Sequence, residues 1–248
     1  MKNLLYVVFI ISILIGCSET DSQPRVEIPN LEERLDNYFE NNSPVRDFSG
    51  NLLNGIGYSK YTDGQVMLSI SLKEGIPHGQ SERYYENGQL RWRKTYINGV
   101  EDGPFEFYFS NGLSMAKGTY KDGEKSGMWE WYHRNGQLEV RGRYRDGLSD
   151  GLWVTYHKNG QLNGKVIHNN GIRNGPYEYY FGNGQLWMKG TYKDGESDGP
   201  YVRYYENGQL EEKGTYKDGI GYGVWEFYYS NGQLRKKGEY SVLMKTIW

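Results

Sequence analysis

Residues 127–150 read GMWEWYHRNGQLEVRGRYRDGLSD. Two runs of strand-forming residues flank Asn135-Gly136, and Asp146-Gly147 closes the second run. Asn-Gly between such runs is the strongest short hairpin signal, because a two-residue type I′ turn needs positive φ at both central positions. The stretch predicts a β-hairpin with its tight turn at Asn135-Gly136 and a loop at Asp146-Gly147 joining it to the next hairpin. Working outward, the same text returns. Asn-Gly stands at 87–88, 111–112, 135–136, 159–160, 183–184, 207–208 and 231–232, always 24 residues apart, and Asp63-Gly64 extends the series backward.

A second glycine column keeps that step through Gly75, Gly99, Gly123, Gly147, Gly171, Gly195 and Gly219. A third runs from Gly55 through Gly79, Gly103, Gly127, Gly151, Gly175 and Gly199 to Gly223. Three columns in phase define a repeat protein. The fold class is all-β: an elongated antiparallel meander of about eight 24-residue hairpins, roughly sixteen strands in one twisted or curled sheet. Uncurled, it would extend about 70–75 Å.

Outward pairing from a two-residue turn sets His133 opposite Leu138, Trp131 opposite Val140, Trp129 opposite Gly142 and Gly127 opposite Tyr144. It also sets Phe105, Tyr201 and Trp225 over Gly118, Gly214 and Gly238. One face is thus rings on glycines, its edge filled by Leu90, Leu138, Leu162, Leu186, Leu210 and Leu234. The other face carries a register-setting charge ladder: Glu82 against Arg93, Glu106 against Lys117, Glu130 against Arg141, Glu178 against Lys189 and Glu226 against Lys237. Val154 and Val202 replace the acid in two repeats. A tyrosine file, Tyr84, Tyr108, Tyr132, Tyr156, Tyr180, Tyr204 and Tyr228, runs along this charged face and is the candidate binding surface for a peptide or glycan.

The 248 residues divide around this array, which spans 55–240. Met1-Lys2-Asn3 is a short basic start, and Leu4 to Ile15 is an apolar run too short for a mature membrane span, so 1–16 reads as a signal peptide. Leu14-Ile15-Gly16-Cys17 resembles a bacterial lipobox, which implies cleavage before Cys17 and acylation of its sulfur, and Ser18 is compatible with outer-membrane sorting by the same resemblance. Cys17 is the one cysteine, so no internal disulfide forms. Residues 17–30 read as a lipidated tether. Residues 31–54 read as an N-terminal cap with a short helix, where Leu31, Leu35, Tyr38 and Phe39 share a face and Asn30 and Glu33 form a capping box. Residues 241–248, SVLMKTIW, lose the Asp-Gly turn and read as a C-terminal cap.

The unit G-x-W-x-x-Y-x-x-N-G-Q-L-x-x-x-G-x-Y-x-D-G resembles the MORN repeat, in the bacterial variant form of YwqK-family antitoxins. The resemblance implies a binding or scaffolding array. It further implies lipid or protein contacts, and for the antitoxin type a toxin partner in the cytoplasm, which the lipobox opposes. Choline-binding wall repeats share Trp, Tyr-Tyr and Asn-Gly, but their shorter period lacks this charge ladder.

Other chemistry finds little support. Net charge −2 and pI about 6.1 argue against nucleic-acid binding by bulk electrostatics. His133 and His157 share a column about 10 Å apart, too far for one metal, and His78 and His168 lie in unrelated columns. The Glu file is matched by cations and the Asp file sits in turns, so no glycosidase pair emerges. The glycines recur in hairpins rather than at a strand-to-helix phosphate loop, and the nine-residue period of calcium β-rolls is absent. The expectation is a non-enzymatic array without cofactor or metal, held at the bacterial envelope by its N-terminal lipid. It would bind an envelope protein or a wall glycan, or a toxin if the antitoxin type applies.

Overall fold

The computed structural model describes residues 23–240. The signal peptide, the lipidation site Cys17 and the C-terminal cap at 241–248 therefore lie outside the described residues. The described residues form nineteen strands in one sheet, with a single helix. The first strand, β1 (Arg25–Glu27), lies parallel to β2 (Gly55–Lys60), and every later pairing is antiparallel between chain neighbours. Eight hairpins follow one another, from Gly55–Lys73 to Ile220–Tyr240. The strand total exceeds sixteen because β1 joins the edge and two strands are interrupted just before Gly103 and Gly199.

The two turn types exchange the roles that sequence assigned them. At Asp146-Gly147 both residues have positive φ (48° and 73°) and Arg145 pairs directly with Leu148, so this is the two-residue tight turn. Asn98, Asp122, Asn170, Asp194 and Asp218 repeat it with the glycines that follow them. At Asn135-Gly136 only the glycine has positive φ. There the His133 N–H donates to the Gln137 carbonyl and the Gly136 N–H to the His133 carbonyl, a wider turn with a bulge in the return strand. Leu138 consequently pairs with Tyr132, not His133, and the other leucines of its column likewise pair with the Tyr file. The bulge restores the expected register one residue later, so Val140 meets Trp131 and Gly142 meets Trp129.

The rings covering three of the glycines come from the following hairpin, while Gly190 is covered by Tyr177 of its own hairpin. Trp129 overlies Gly118, Trp153 overlies Gly142 and Trp225 overlies Gly214. Phe105, Trp129 and Tyr201 face these glycines in register, but the covering contact comes from across the tight turn. Gly151 causes it. Its positive φ of 75° opens a bulge in which Gly142 stands between the pairs Arg141↔Val154 and Arg143↔Asp150, swinging the Trp153 ring back. The rings also pack edge-to-face with the tyrosine two residues after each glycine, as in Tyr120–Trp129 at 5.1 Å and Tyr144–Trp153 at 5.2 Å. Trp129 is 1% exposed, so the rings themselves form the core of the array.

The N-terminal end is sealed differently. Helix α1 (Leu31–Asn41) buries Leu31 and Leu35 with Ile28, Val45, Leu53, Leu68, Ile70 and Leu72 in an aliphatic core over the first hairpin. The helix forms as expected, but its capping box does not. Asn30 adopts the left-handed conformation (φ 55°) and its side chain makes no capping bond. The tether also ends before residue 30, since Arg25–Glu27 joins the sheet and Ile28 is fully buried.

Candidate functional site

The charged face is built by the strand alternation that turns the rings inward. Glu106, Glu130, Glu178 and Glu226 each lie between two cations, because the register pairs them with both neighbouring strands, whereas Glu82 lies between Arg93 and Ser69. Glu226 bonds Lys213 and Lys237, each at 2.8 Å. Glu82 bonds Arg93 at 2.8 Å. Glu106, expected opposite Lys117, makes its ion pair with Arg93 of the preceding hairpin at 3.2 Å. Glu178, expected with Lys189, pairs instead with Lys165 at 3.6 Å. The Cα registers Glu106↔Lys117 and Glu178↔Lys189 hold, so the side chains chose the other neighbour of an acid flanked on both sides.

The structure brings the Tyr file onto this ladder. The hydroxyls of Tyr84, Tyr132, Tyr180 and Tyr228 donate to Glu82, Glu130, Glu178 and Glu226 at 2.5–2.6 Å. Lys117, Lys165 and Lys213 lie over the Tyr132, Tyr180 and Tyr228 rings at 5.8–6.0 Å. Burial first, and then the carboxylate it bonds, push the Tyr84 and Tyr132 hydroxyls up to about 12. For Tyr180 the bond to Glu178 leads and the result is again about 12. Tyr108 is raised by burial and by Glu106. Tyr156 and Tyr204 follow Val154 and Val202 and have no such carboxylate two residues before them. The file remains half-buried. At its start Arg25, Tyr58, Lys60, Glu82 and Tyr84 wall a cavity of about 450 Å³.

Two further ladders went unread in the sequence. The column one residue beyond the file position reaches the next repeat where its ring has a polar tip: Tyr61, Tyr85 and Tyr205 donate to the carbonyls of Tyr84, Tyr108 and Tyr228 at 2.7–2.8 Å. His133 and His157 place Nε2 at 3.0 and 2.9 Å from the carbonyls of Tyr156 and Tyr180. The recurrence of Tyr or His in that column, two rings with a polar tip at similar reach, was the available signal, with Phe109 and Phe181 as the exceptions. The second ladder is asparagine: Asn87, Asn135, Asn159, Asn183 and Asn207 each donate Nδ2 to a carbonyl in the following turn.

This geometry defines a class, an array of β-hairpins zipped turn to turn. The family described as MORN repeat variant matches residues 77–98, 125–146, 149–170, 173–194, 197–218 and 222–241, more than half of the chain, and the chain belongs to it. The hairpins at Gly55–Lys73 and Val100–Lys121 complete the eight without a match; in the latter Leu113-Ser114 replaces the usual Gln-Leu. MORN repeats are in general binding or scaffolding repeats, and the family is generally non-enzymatic. No curated protein matches the sequence. Among solved structures, the crystal structure of a GtfA/B complex bound to UDP and GlcNAc aligns at 15% identity over 77% of this chain and 39% of the other. Its TM-score of 0.16 carries no argument.

Proposed function

We propose that the chain is a lipid-anchored, non-enzymatic scaffold of the bacterial envelope that presents the Tyr file to a protein partner. One observation carries this reading: seven half-buried tyrosines stand at one repeat position, four with hydroxyls tied to glutamates. Rings held this way lose little freedom on binding, and the flanking charges select register. The apolar leader and lipobox before Cys17 supply the anchoring part of the proposal.

Replacing Tyr132, Tyr156 and Tyr180 together by Ala should abolish retention of the partner in a cross-linked envelope pull-down while circular dichroism stays native. Retention at the original level would mean that the file is only structural. Retention on purified peptidoglycan, lost in the same triple variant, would move the reading to the wall glycan. Metabolic labelling with palmitate should mark the protein and lose the mark on Cys17→Ser; an unlabelled protein in the cytoplasmic fraction would bring back the antitoxin reading.

A further inference from the structure

We infer that the strand Leu234–Tyr240 is a docking edge for an acidic, aromatic-bearing extended segment of another protein, which joins the sheet in the place of a ninth hairpin. This inference is independent of the Tyr-file reading, because it concerns the end of the array rather than its face.

The repeat shows what such an edge is shaped to receive. Gly118, Gly142 and Gly214 are each covered by an indole from the strand beyond the next tight turn. Gly238 holds the same position, yet among the described residues a Cβ built there would meet only the Lys236 Cε, at 3.8 Å. Leu234 is 54% exposed and Tyr240 39%, the latter packed against Trp225 on one side alone. The opposite end of the sheet is closed by β1 and by α1, so the two ends differ.

Charge indicates the occupant. The preceding return strand carries Glu211-Glu212-Lys213, whereas the edge carries Arg235-Lys236-Lys237, all exposed. Within the array Lys213 takes Glu226 from the strand beyond it at 2.8 Å. Among the described residues Lys237 meets Glu226 only from behind, without the acid that the pattern supplies on the outer side. Exposed edge lysines discourage pairing with neutral or basic strands and favour an acidic one. Backbone bonds to the edge, a ring on Gly238 and a carboxylate on Lys237 are the three elements of strand addition.

The test uses the full chain and a synthetic peptide of its own covering strand, residues 124–133, EKSGMWEWYH. In the array this strand lays Trp129 on Gly118 and pairs Glu130 with Lys117. Titrated against isotope-labelled protein, it should shift the amide resonances of residues 234–240 and leave those of the central hairpins unmoved. The peptide with Trp129→Ala should bind about tenfold more weakly. Gly238→Val fills the slot with a good strand former, so it should abolish binding with thermal stability kept. Four results would each overturn the inference: no shift at millimolar peptide; equal binding by the Gly238→Val protein; binding only after residues 241–248 are removed, which makes that segment the occupant; and concentration-dependent dimers lost in Gly238→Val, which makes it a second copy.

Discussion

At the scale of the residue, Asn-Gly-Gln is one mechanical part rather than a generic turn. In each repeat the asparagine Oδ1 accepts from the backbone N–H two residues on, as Asn135 does from Gln137 at 3.1 Å. Its Nδ2 meanwhile donates to the next turn, to the Lys158 carbonyl at 2.8 Å. The glycine supplies the positive φ, and the glutamine lies under the next repeat's glycine, as Gln137 does under Gly160. Asp63, at the same position in the first repeat, keeps only the acceptor role. Asn135→Asp should therefore keep the turn but lose the link between repeats, about 0.5–1.5 kcal/mol in urea unfolding, while Asn135→Ala loses both bonds and costs more. A second pair of variants separates covered from uncovered glycines. Gly142→Ala drives a methyl into the Trp153 ring and should destabilise by about 1–3 kcal/mol, whereas Gly238→Ala, whose methyl meets only the Lys236 side chain at 3.8 Å among the described residues, should leave the urea midpoint unchanged.

At the scale of the element, the charge ladder makes stability depend on pH in a predictable direction. Lys213, Lys237 and the Tyr228 hydroxyl all hold Glu226 in its charged form and depress its carboxyl from 4.5 to about 2. Because the folded value lies below the unfolded one, the contribution is complete above about pH 4.5 and is lost as pH falls toward 2. Glu226→Gln should flatten the stability profile in that window and not above it. The tyrosines act at the other extreme. Tyr132 and Tyr180 are raised from 10.0 to about 12, so their contribution is complete below pH 10 and lost as pH rises through 12. Tyrosinate absorbance should accordingly show a fraction titrating late, moved toward ordinary values in Glu178→Gln and moved less in Glu130→Gln, where burial leads and remains. Much of this ladder was legible in sequence, since alternation and period fix which Cα atoms oppose each other. Which neighbour Glu106 or Glu178 chooses was not, because an acid flanked by two cations is decided by rotamers. The turn exchange was hidden for a related reason: Asn-Gly suits both a two-residue turn and a wider one, and the bulge after Leu138 conceals the difference in every later pair. The bulges at Gly127 and Gly151 left only a glycine column as their trace, so the source of the covering ring was misread.

At the scale of the molecule, the array is nearly one-dimensional, because each hairpin touches its neighbours and little else. Two kinds of core coexist within it. The aromatic core runs along the array, with rings lying on Gly118, Gly142, Gly190 and Gly214, while the aliphatic core occurs once among the described residues, where α1 and Ile28 close the first hairpin. Leu31, Leu35 and Tyr38 on the buried helix face were readable from helical spacing, but the docking of Ile28 and β1 was not, because a polar, proline-bearing segment before a helix reads as a linker. A one-dimensional array also confines damage. Leu31 is fully buried, and Leu31→Ala removes packing worth about 2–5 kcal/mol in a core of this kind. That loss should fall on the cap and the first hairpins, whose contacts with the distal repeats pass through each intervening strand. Hydrogen exchange is the suitable measurement, since it resolves stability by segment. In Leu31→Ala the amides of Val66–Lys73 should exchange faster by about thirtyfold or more, and those of Leu186–Lys193 should keep their protection. Equal acceleration at both ends would show that the sheet unfolds as one cooperative unit, and the picture of independent repeats joined at their turns would have to be given up.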